Sequence, residues 1–213
     1  DEKLQKQFAN EIHLLTAEPR LRAVAKDFAQ HYSNLWTTGK AMFVCLNKVT
    51  CVRMFDLVTR YWNEIADNLE RDIRKGRWSQ QEAQEQERKL RWMRTTEMAV
   101  VISQEQNEIK TFRDWELDIR PHRAKMESRE LDKEFKDSRH PLRIVFVCAM
   151  WLTGFDVKSL SCLYLDKPMK AHALMQTIAR ANRVAEGKSN GLIIDYIGIV
   201  KALKKALADY AGN

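Results

Sequence analysis

Glycine and proline are scarce in this chain of 213 residues, which contains 7 Gly and 4 Pro. Both are used at about half of their average frequencies of roughly 7% and 5%. Few turn-forming residues, together with 31% charged residues, favour a helix-rich protein with polar outer faces. Hydrophobic residues make up 45% of the chain, which is enough to build a core and excludes disorder as the overall state.

The chain also lacks a long apolar segment. Its longest unbroken apolar run, Ile144 to Leu152, is far shorter than the ~20 residues that a membrane-spanning helix needs. The amino terminus, Asp1 to Gln5, does not resemble a signal peptide and does not begin with Met. We therefore expect a cytoplasmic protein without membrane contact, and a piece of a longer chain.

The cysteines and histidines show no metal-binding pattern. None of the four cysteines belongs to a C-x-x-C pair, and the five histidines have no ligand spacing. Three cysteines lie inside or beside apolar runs, where a free thiol behaves as a small hydrophobic group. The sequence therefore predicts reduced cysteines, which suit the cytoplasm, and no metal site.

The net charge of +7 is spread unevenly along the chain. Residues 144–213 contain 9 Lys and Arg against 5 Asp and Glu, and so contribute +4. Residues 67–143 are the most charged part, yet their 18 basic and 17 acidic side chains nearly cancel. A basic excess suits a polyanionic partner such as DNA or a nucleotide phosphate, although a merely soluble basic domain would show it too.

Short apolar runs alternate with helical patterns, above all in the last third of the chain. Strands are predicted at 41–46, 98–103, 143–148, 160–165 and 191–196. Apolar residues recur at helical spacing over 18–36, from Val49 to Ile65, over 171–184 and over 199–210. Continuous β-branched runs are typical of strands that are buried on both faces, so we expect an α/β parallel sheet.

Two stretches of the last third point to chemistry. Thr153-Gly154-Phe155-Asp156 follows a predicted buried strand, where the backbone of a Thr-Gly pair can approach a phosphate and Asp156 can accept hydrogen bonds. A simple glycine turn at the end of a strand is the alternative. Further on, Gln176, Arg180 and Arg183 fall at i, i+4 and i+7 of a helix.

The spacing places these three side chains on one helical face, which follows Leu174-Met175 and is expected to pack on the sheet. Solvated arginines on an exposed helix are the alternative. Arginines on a packed face need anionic partners, because burying an unpaired charge is costly. A guanidinium fork is suited to a transferred γ-phosphate.

Together with their neighbours, these stretches resemble one known family. The resemblance rests on Leu152 to Asp156, Tyr164 to Pro168 with His172, Gln176 to Arg183, Gly187-Lys188 and Gly191 to Tyr196. The chain is similar to the second RecA-like motor lobe of the R (restriction and translocation) subunit of type I restriction enzymes. These subunits are superfamily 2 helicase-like DNA translocases. The resemblance is strong over residues 142–198, extends to 39–66 and is weak over 67–139.

The resemblance implies an α/β fold of the RecA-like, P-loop-NTPase type, with a parallel sheet flanked by helices. It divides the chain into a helical lead-in segment over 1–38 and a motor lobe over 39–213. Within the lobe, residues 67–139 would form a charged, mostly helical insert with one strand near 98–103.

The resemblance also implies roles for individual residues. Thr153 to Asp156 would correspond to helicase motif V and Gln176 to Arg183 to motif VI. Arg180 and Arg183 would be catalytic arginines that sense the γ-phosphate, while Gly154, Asp156 and Gln176 would lie at the nucleotide. Asn47, Lys48 and Thr153 would contact the DNA backbone.

The other half of such a motor is missing from the sequence. There is no Walker A loop of the form G-x-x-x-x-G-K-[ST], and Asp1-Glu2 matches an acidic box in letters only. ATP and Mg²⁺ would therefore bind with a preceding lobe of the full-length enzyme. Its partners would be double-stranded DNA and the modification and specificity subunits. We expect an ATP-dependent deoxyribonuclease and translocase at full length, and no ATP hydrolysis by this chain alone.

Two alternatives stay open from the sequence. One is the equivalent lobe of another superfamily 2 DNA or RNA helicase, against which the stretch from Tyr164 to His172 argues. The other is a non-catalytic nucleotide- or protein-interaction module of helicase fold. The presence of Gln176, Arg180 and Arg183 argues against it.

Overall fold

The computed structural model describes residues 2–152, 155–181 and 191–211. The chain forms two compact units, Asp1–Trp36 with Arg53–Thr96 and Thr37–Val52 with Glu97–Asn213. Within the described ranges, no helix combines the length and the apolar character that are needed to cross a membrane.

The first unit is built from helices. They are α1 (Glu2–Leu15), α2 (Glu18–Asn34), the greater part of α3 (Lys48–Arg74) and α4 (Gln80–Thr95). The helix predicted over 18–36 is confirmed as α2, and it buries the predicted apolar positions, Leu21, Val24, Ala25, Phe28 and Tyr32. A capping box begins α4: the Ser79 hydroxyl accepts from the Glu82 amide, and the Glu82 carboxylate accepts from the Ser79 amide at 2.9 Å.

Aromatic side chains form the centre of this helical unit. The rings of Tyr32, Trp62 and Trp92 contact one another with centroids 5.5 to 5.9 Å apart. Trp62 Nε1 donates a hydrogen bond to the Met93 carbonyl at 3.0 Å, which satisfies the polar atom of a buried indole. Three helices are therefore joined through one aromatic cluster.

The second unit contains a five-stranded, all-parallel sheet. Its strands are β1 (Lys40–Val44), β2 (Glu97–Val101), β3 (Leu142–Val147), β4 (Leu160–Leu165) and β5 (Leu192–Asp195), in the order β2-β3-β1-β4-β5. Every residue of β1 and β4 is buried. The apolar runs predict this for all of them except the polar residues Lys40 and Ser161. The predicted α/β parallel sheet is confirmed.

Side chains alternate between the two faces of the sheet. One face packs with helices into a core that includes Met42, Val44, Ala99, Val101, Val145, Val147, Leu163 and Leu165. On the other face the rings of Phe43, Tyr164 and Tyr196 stack with centroids 6.0 to 6.4 Å apart.

Five helices accompany the sheet in the described part of this unit. They are α5 (Glu108–Arg113), α6 (Arg120–Ser128), α7 (Leu131–Lys136), α8 (Ala171–Ala181) and α9 (Ile199–Ala211). Leu131 and Phe135 of α7, Leu174 of α8 and Leu203 of α9 pack on the core. The segment over 67–139, expected as a helical insert, is helical around β2 and divides between the two units at Glu97.

Ion pairs attach α6 and α7 to the edge strand β2. Arg129 lies 2.7 Å from carboxylate oxygens of both Glu97 and Glu134. Lys125 donates to the Met98 carbonyl at 2.8 Å. Charged side chains between helix and strand therefore neutralise one another where the apolar core ends.

Candidate functional site

The parallel strands end at one edge of the sheet, here called the carboxyl edge. Ligands of open α/β sheets bind at this edge. The segments 45–47 and 148–159 leave it after the adjacent strands β1 and β3. Asn47 and Lys48 therefore leave the sheet beside the segment that begins at Cys148, while Asp156 lies further along that segment, four residues before β4 begins. Thr153 and Gly154 lie outside the described residues.

Asn47 caps the helix that follows β1. Its Oδ1 accepts hydrogen bonds from both the amide and the hydroxyl of Thr50, each at 2.8 Å. An Asn at this position satisfies amide groups that the first turn of a helix leaves without partners. Asn47 itself is exposed, so its amide nitrogen remains at the surface as a donor.

Lys48, the first residue of α3, is paired with a carboxylate. Its Nζ lies 2.5 Å from Oε1 of Glu105, which belongs to the loop between β2 and α5. The first turn of α3 contains no acidic residue. Because Lys48 is the first residue of α3, its positive charge adds to the positive end of the helix dipole. Both favour an anion at the amino-terminal end of α3.

The loop after β2 is held by a bidentate ion pair that the sequence analysis did not identify. Arg123 Nε and Nη2 donate to the two carboxylate oxygens of Glu108 at 2.9 and 2.8 Å, and Nη1 donates to the Ile102 carbonyl at 3.2 Å. Hydrogen bonding by Arg123 lowers the pKa of Glu108, against the opposing effect of burial. Charged residues are frequent throughout this segment, so no pattern of residue types singled out these two.

Three cysteine side chains meet behind the carboxyl edge. Cys45 and Cys148 directly follow β1 and β3, and their thiols are hydrogen-bonded to that of Cys51 in α3. Burial raises the pKa of Cys45, and raises that of Cys51 well above its usual value. These groups therefore remain protonated thiols at neutral pH. Among the residues that the structure describes, no group of three or more His, Cys, Asp or Glu could hold a metal ion.

The segment after β3 carries a strained aromatic residue. Trp151 has φ of +67°, a region that bulky residues rarely adopt, and its ring stacks on Phe155 with centroids 4.3 Å apart. Trp151 also lines a cavity of about 450 Å³, together with Met126 and Met150. Strain of this kind occurs where the surroundings force a backbone path, here two residues before Thr153 in the sequence.

Helix α8 corrects one expectation. The sequence analysis placed Gln176 on a face that packs against the sheet, whereas the structure buries Leu174 and Thr177 and leaves Gln176 exposed. The Gln176 amide nitrogen lies 2.9 Å from His172 Nε2, one helical turn earlier. Spacing predicts which residues share a face, but the position of the core decides which face is buried.

The resemblance assigns two arginines, Arg180 and Arg183, to helicase motif VI. Arg180 lies in the last turn of α8, while its side chain and all of Arg183 fall outside the described residues. The two described side chains of the predicted nucleotide set, Asp156 and Gln176, are both exposed. An exposed carboxylate can accept hydrogen bonds from ribose hydroxyls, and an exposed side-chain amide can donate to phosphate oxygens.

Known proteins are similar to this chain over most of its length. Residues 37–198 match a protein-family model described as "Type I restriction enzyme subunit R domain 3". The chain is 35% identical over 215 residues to the "Putative type I restriction enzyme MjaIXP endonuclease subunit" of Methanocaldococcus jannaschii, covering 100% of this chain and 17% of that protein. It is 34% identical over 207 residues to the type I restriction enzyme HindI endonuclease subunit of Haemophilus influenzae. This match covers 94% of this chain and 17% of that protein.

A similar solved structure is "The fragment structure of a putative HsdR subunit of a type I restriction enzyme from Vibrio vulnificus YJ016". The match covers 85% of this chain and 28% of the Vibrio vulnificus chain, at 17% identity and a TM-score of 0.49. The chain spans 17% of the length of the two curated relatives above. The family match over residues 37–198 confirms the resemblance read from the motifs: this chain belongs to the type I restriction enzyme R subunit family.

Proposed function

We propose that this chain is one lobe of a two-lobed, ATP-dependent DNA motor within a full-length R subunit. One structural observation carries the proposal. Asn47 and Lys48, which are predicted to contact DNA, follow β1 at the carboxyl edge, and β1 is adjacent to β3, the strand that precedes the predicted nucleotide stretch 153–156 in the sequence. That edge is where open α/β sheets bind their ligands. Family membership supports the same assignment.

The nucleotide would bind between this lobe and a preceding one that supplies the Walker A loop and the Mg²⁺ ligands. ATP supplies the phosphoryl group that is transferred to water. Arg180 and Arg183 hold its γ-phosphate and neutralise the charge that develops during transfer. The exposed Gln176 amide supports this contact, while the Gly154 backbone and Asp156 lie at the nucleotide.

DNA would be held through its phosphates. The donors are Lys48 and the Asn47 amide nitrogen at the amino-terminal end of α3, together with Thr153. Phosphate contacts carry no base information, so they suit movement along duplex DNA of any sequence. Recognition of a DNA site would come from the specificity subunit, and methylation from the modification subunit, both partners of the full-length protein.

The motor assignment is tested with Arg183→Ala in the full-length R subunit. We expect DNA-dependent ATP hydrolysis to fall by about 10³-fold or more, because an arginine that stabilises phosphoryl transfer contributes on that scale. Binding to duplex DNA without ATP should be unchanged. Arg120→Ala is the matched control, since this exposed arginine pairs with Asp118. ATPase activity of Arg183→Ala equal to that of the control would refute the assignment.

The DNA contact is tested separately with Lys48→Ala. We expect weaker binding to duplex DNA, with the slope of log affinity against log salt reduced by about 1, as for one lost phosphate contact. Lys110→Ala, which removes an exposed lysine paired with Asp114, should leave both quantities unchanged. Equal slopes for Lys48→Ala and the wild type would contradict the contact.

A further inference from the structure

The ammonium group of Lys48 is already occupied by a carboxylate of the same chain. The 2.5 Å ion pair with Glu105 joins the start of α3 to the loop after β2. The Lys48 side chain is 20% exposed and that of Glu105 is 58% exposed. The partner of the lysine, rather than the lysine, is therefore the group that water and other solutes reach most easily.

The loop that carries Glu105 is anchored on its other side. The Glu105 amide donates to Glu108 Oε2 at 3.4 Å, and Arg123 holds the same carboxylate by two hydrogen bonds. Arg123 also donates to the Ile102 carbonyl, where the loop begins. Contacts at both ends of the loop thus keep the Glu105 carboxylate within reach of Lys48. The positive charge of Lys48 also helps to lower the pKa of Glu108, so two carboxylates interact with this lysine.

A carboxylate oxygen and a phosphate oxygen are alternative acceptors for the same charge-assisted hydrogen bond. We propose that Glu105 competes with the DNA backbone for Lys48, occupying the ammonium group in the DNA-free lobe and giving it up when a phosphate binds. This inference rests on the DNA contact proposed above for Lys48.

The energetics favour such an exchange. An ion pair with one exposed partner contributes little in water, so a phosphate can replace it. Each DNA contact through Lys48 is weakened by the loss of the internal pair, and Glu105 recaptures the lysine when the phosphate leaves. Glu105 therefore weakens each contact with DNA, which suits a protein that must give up its contacts as it moves along DNA.

The experiment is a double-mutant cycle in the full-length R subunit. The dissociation constant for a labelled duplex of arbitrary sequence is measured by fluorescence anisotropy without ATP, at low and at high salt. Glu105→Gln should tighten binding about two- to five-fold at low salt, the range expected from an exposed ion pair. The gain should shrink at high salt because the pair is screened. With Lys48→Ala already present, Glu105→Gln should change the dissociation constant by no more than the control.

Asp114→Asn is the matched control. This carboxylate is also exposed and also pairs with a lysine, Lys110 at 3.3 Å, so its replacement causes the same change in net charge. It should tighten binding less than Glu105→Gln does. If the alanine variant of Lys48 fails to fold, Lys48→Gln, which keeps most of the side chain, takes its place.

The outcomes separate the two proposals. Equal effects of Glu105→Gln and Asp114→Asn, with Lys48→Ala still weakening binding, would overturn the competition and leave the DNA contact standing. A full gain from Glu105→Gln in the Lys48→Ala background would also overturn it, since the carboxylate would then repel DNA directly. If Lys48→Ala leaves the dissociation constant unchanged, the DNA contact itself fails, and the competition fails with it.

Discussion

Lys40 is a charged residue inside the sheet, and its protonation should change the stability of the protein in a definite direction. It begins β1, is 2% exposed, and donates from Nζ to the Glu134 carbonyl at 2.8 Å. Its Nζ also lies 5.4 Å from the centre of the Phe135 ring. Burial lowers the pKa of Lys40 from 10.5 to about 8, because the charged form loses its hydration; nearby Asp137 partly opposes this.

The sign of the effect follows from the lowered pKa. Below pH 8 the lysine is charged in both states, and the folded state bears the full cost of burying the charge. As the pH rises from about 8 to 10.5, the folded state loses its proton before the unfolded chain does, so stability increases. The lowering from 10.5 to about 8 corresponds to at most about 3.4 kcal/mol. Relaxation of the surroundings of a buried charge reduces this, and we expect about 1 to 2 kcal/mol.

Lys40→Met removes the charge and keeps an apolar side chain of similar length. Near pH 7 the variant should differ from the wild type by less than about 1.5 kcal/mol, since it avoids the burial of a charge but loses one hydrogen bond. Between pH 8 and 10.5 the free energy of unfolding of the wild type should rise by about 1 to 2 kcal/mol relative to that of the variant. The free energy of unfolding of both chains, measured with urea across this range, checks the difference.

Lys133→Met is the control for this experiment. Lys133 is exposed, and its pairing with Glu130 raises its pKa. This lysine therefore stays charged in both the folded and the unfolded chain up to about pH 10. The free energy of unfolding of Lys133→Met should therefore differ from that of the wild type by a constant amount between pH 8 and 10. A constant difference for Lys40→Met as well would refute the lowered pKa of Lys40.

Two further substitutions test the sheet and the loop after β2. Gly39→Ala should destabilise the protein by about 2 kcal/mol or more, because φ is +130° and the new Cβ would overlap Ser161 Oγ; an unchanged thermal midpoint would contradict this. Arg123→Met should cost about 2 to 3 kcal/mol at pH 7, because Glu108, 8% exposed, loses its partner. That cost should diminish as the pH falls below 4.5, where protonation of Glu108 removes the unpaired charge, and the added substitution Glu108→Met should restore most of the stability at pH 7. A double variant no more stable than Arg123→Met would count against the ion pair.

The strands whose ends frame the candidate site could be predicted from sequence because strands and their exits leave a local pattern. A continuous β-branched run identifies β3, and the residues that follow it must lie where the strand ends. The same reasoning places Asn47 and Lys48 after β1. The role of Asn47 as a helix cap is also local, since its partner Thr50 is three residues away.

Contacts between distant residues could not be predicted in this way. Lys48 and Glu105 are 57 residues apart, and Glu108 and Arg123 are 15 apart. Each belongs to a region in which charged residues are common, so residue type alone does not select a partner. The error over Gln176 has a related cause, since helical spacing contains no information about which side of α8 meets the sheet.

By itself, the sequence determined the α/β class, the strands and the stretches that carry the family resemblance, because these depend on local periodicity and on residues close together in the chain. Only the tertiary structure decided that β2 forms one edge of the sheet, beside β3, and that its exit loop brings Glu105 to Lys48. It also decided that Lys40 lies buried against Phe135 and the carbonyl of Glu134. The physical reason is that electrostatic partners and desolvation depend on distance in space, which the folded chain sets between residues far apart in sequence.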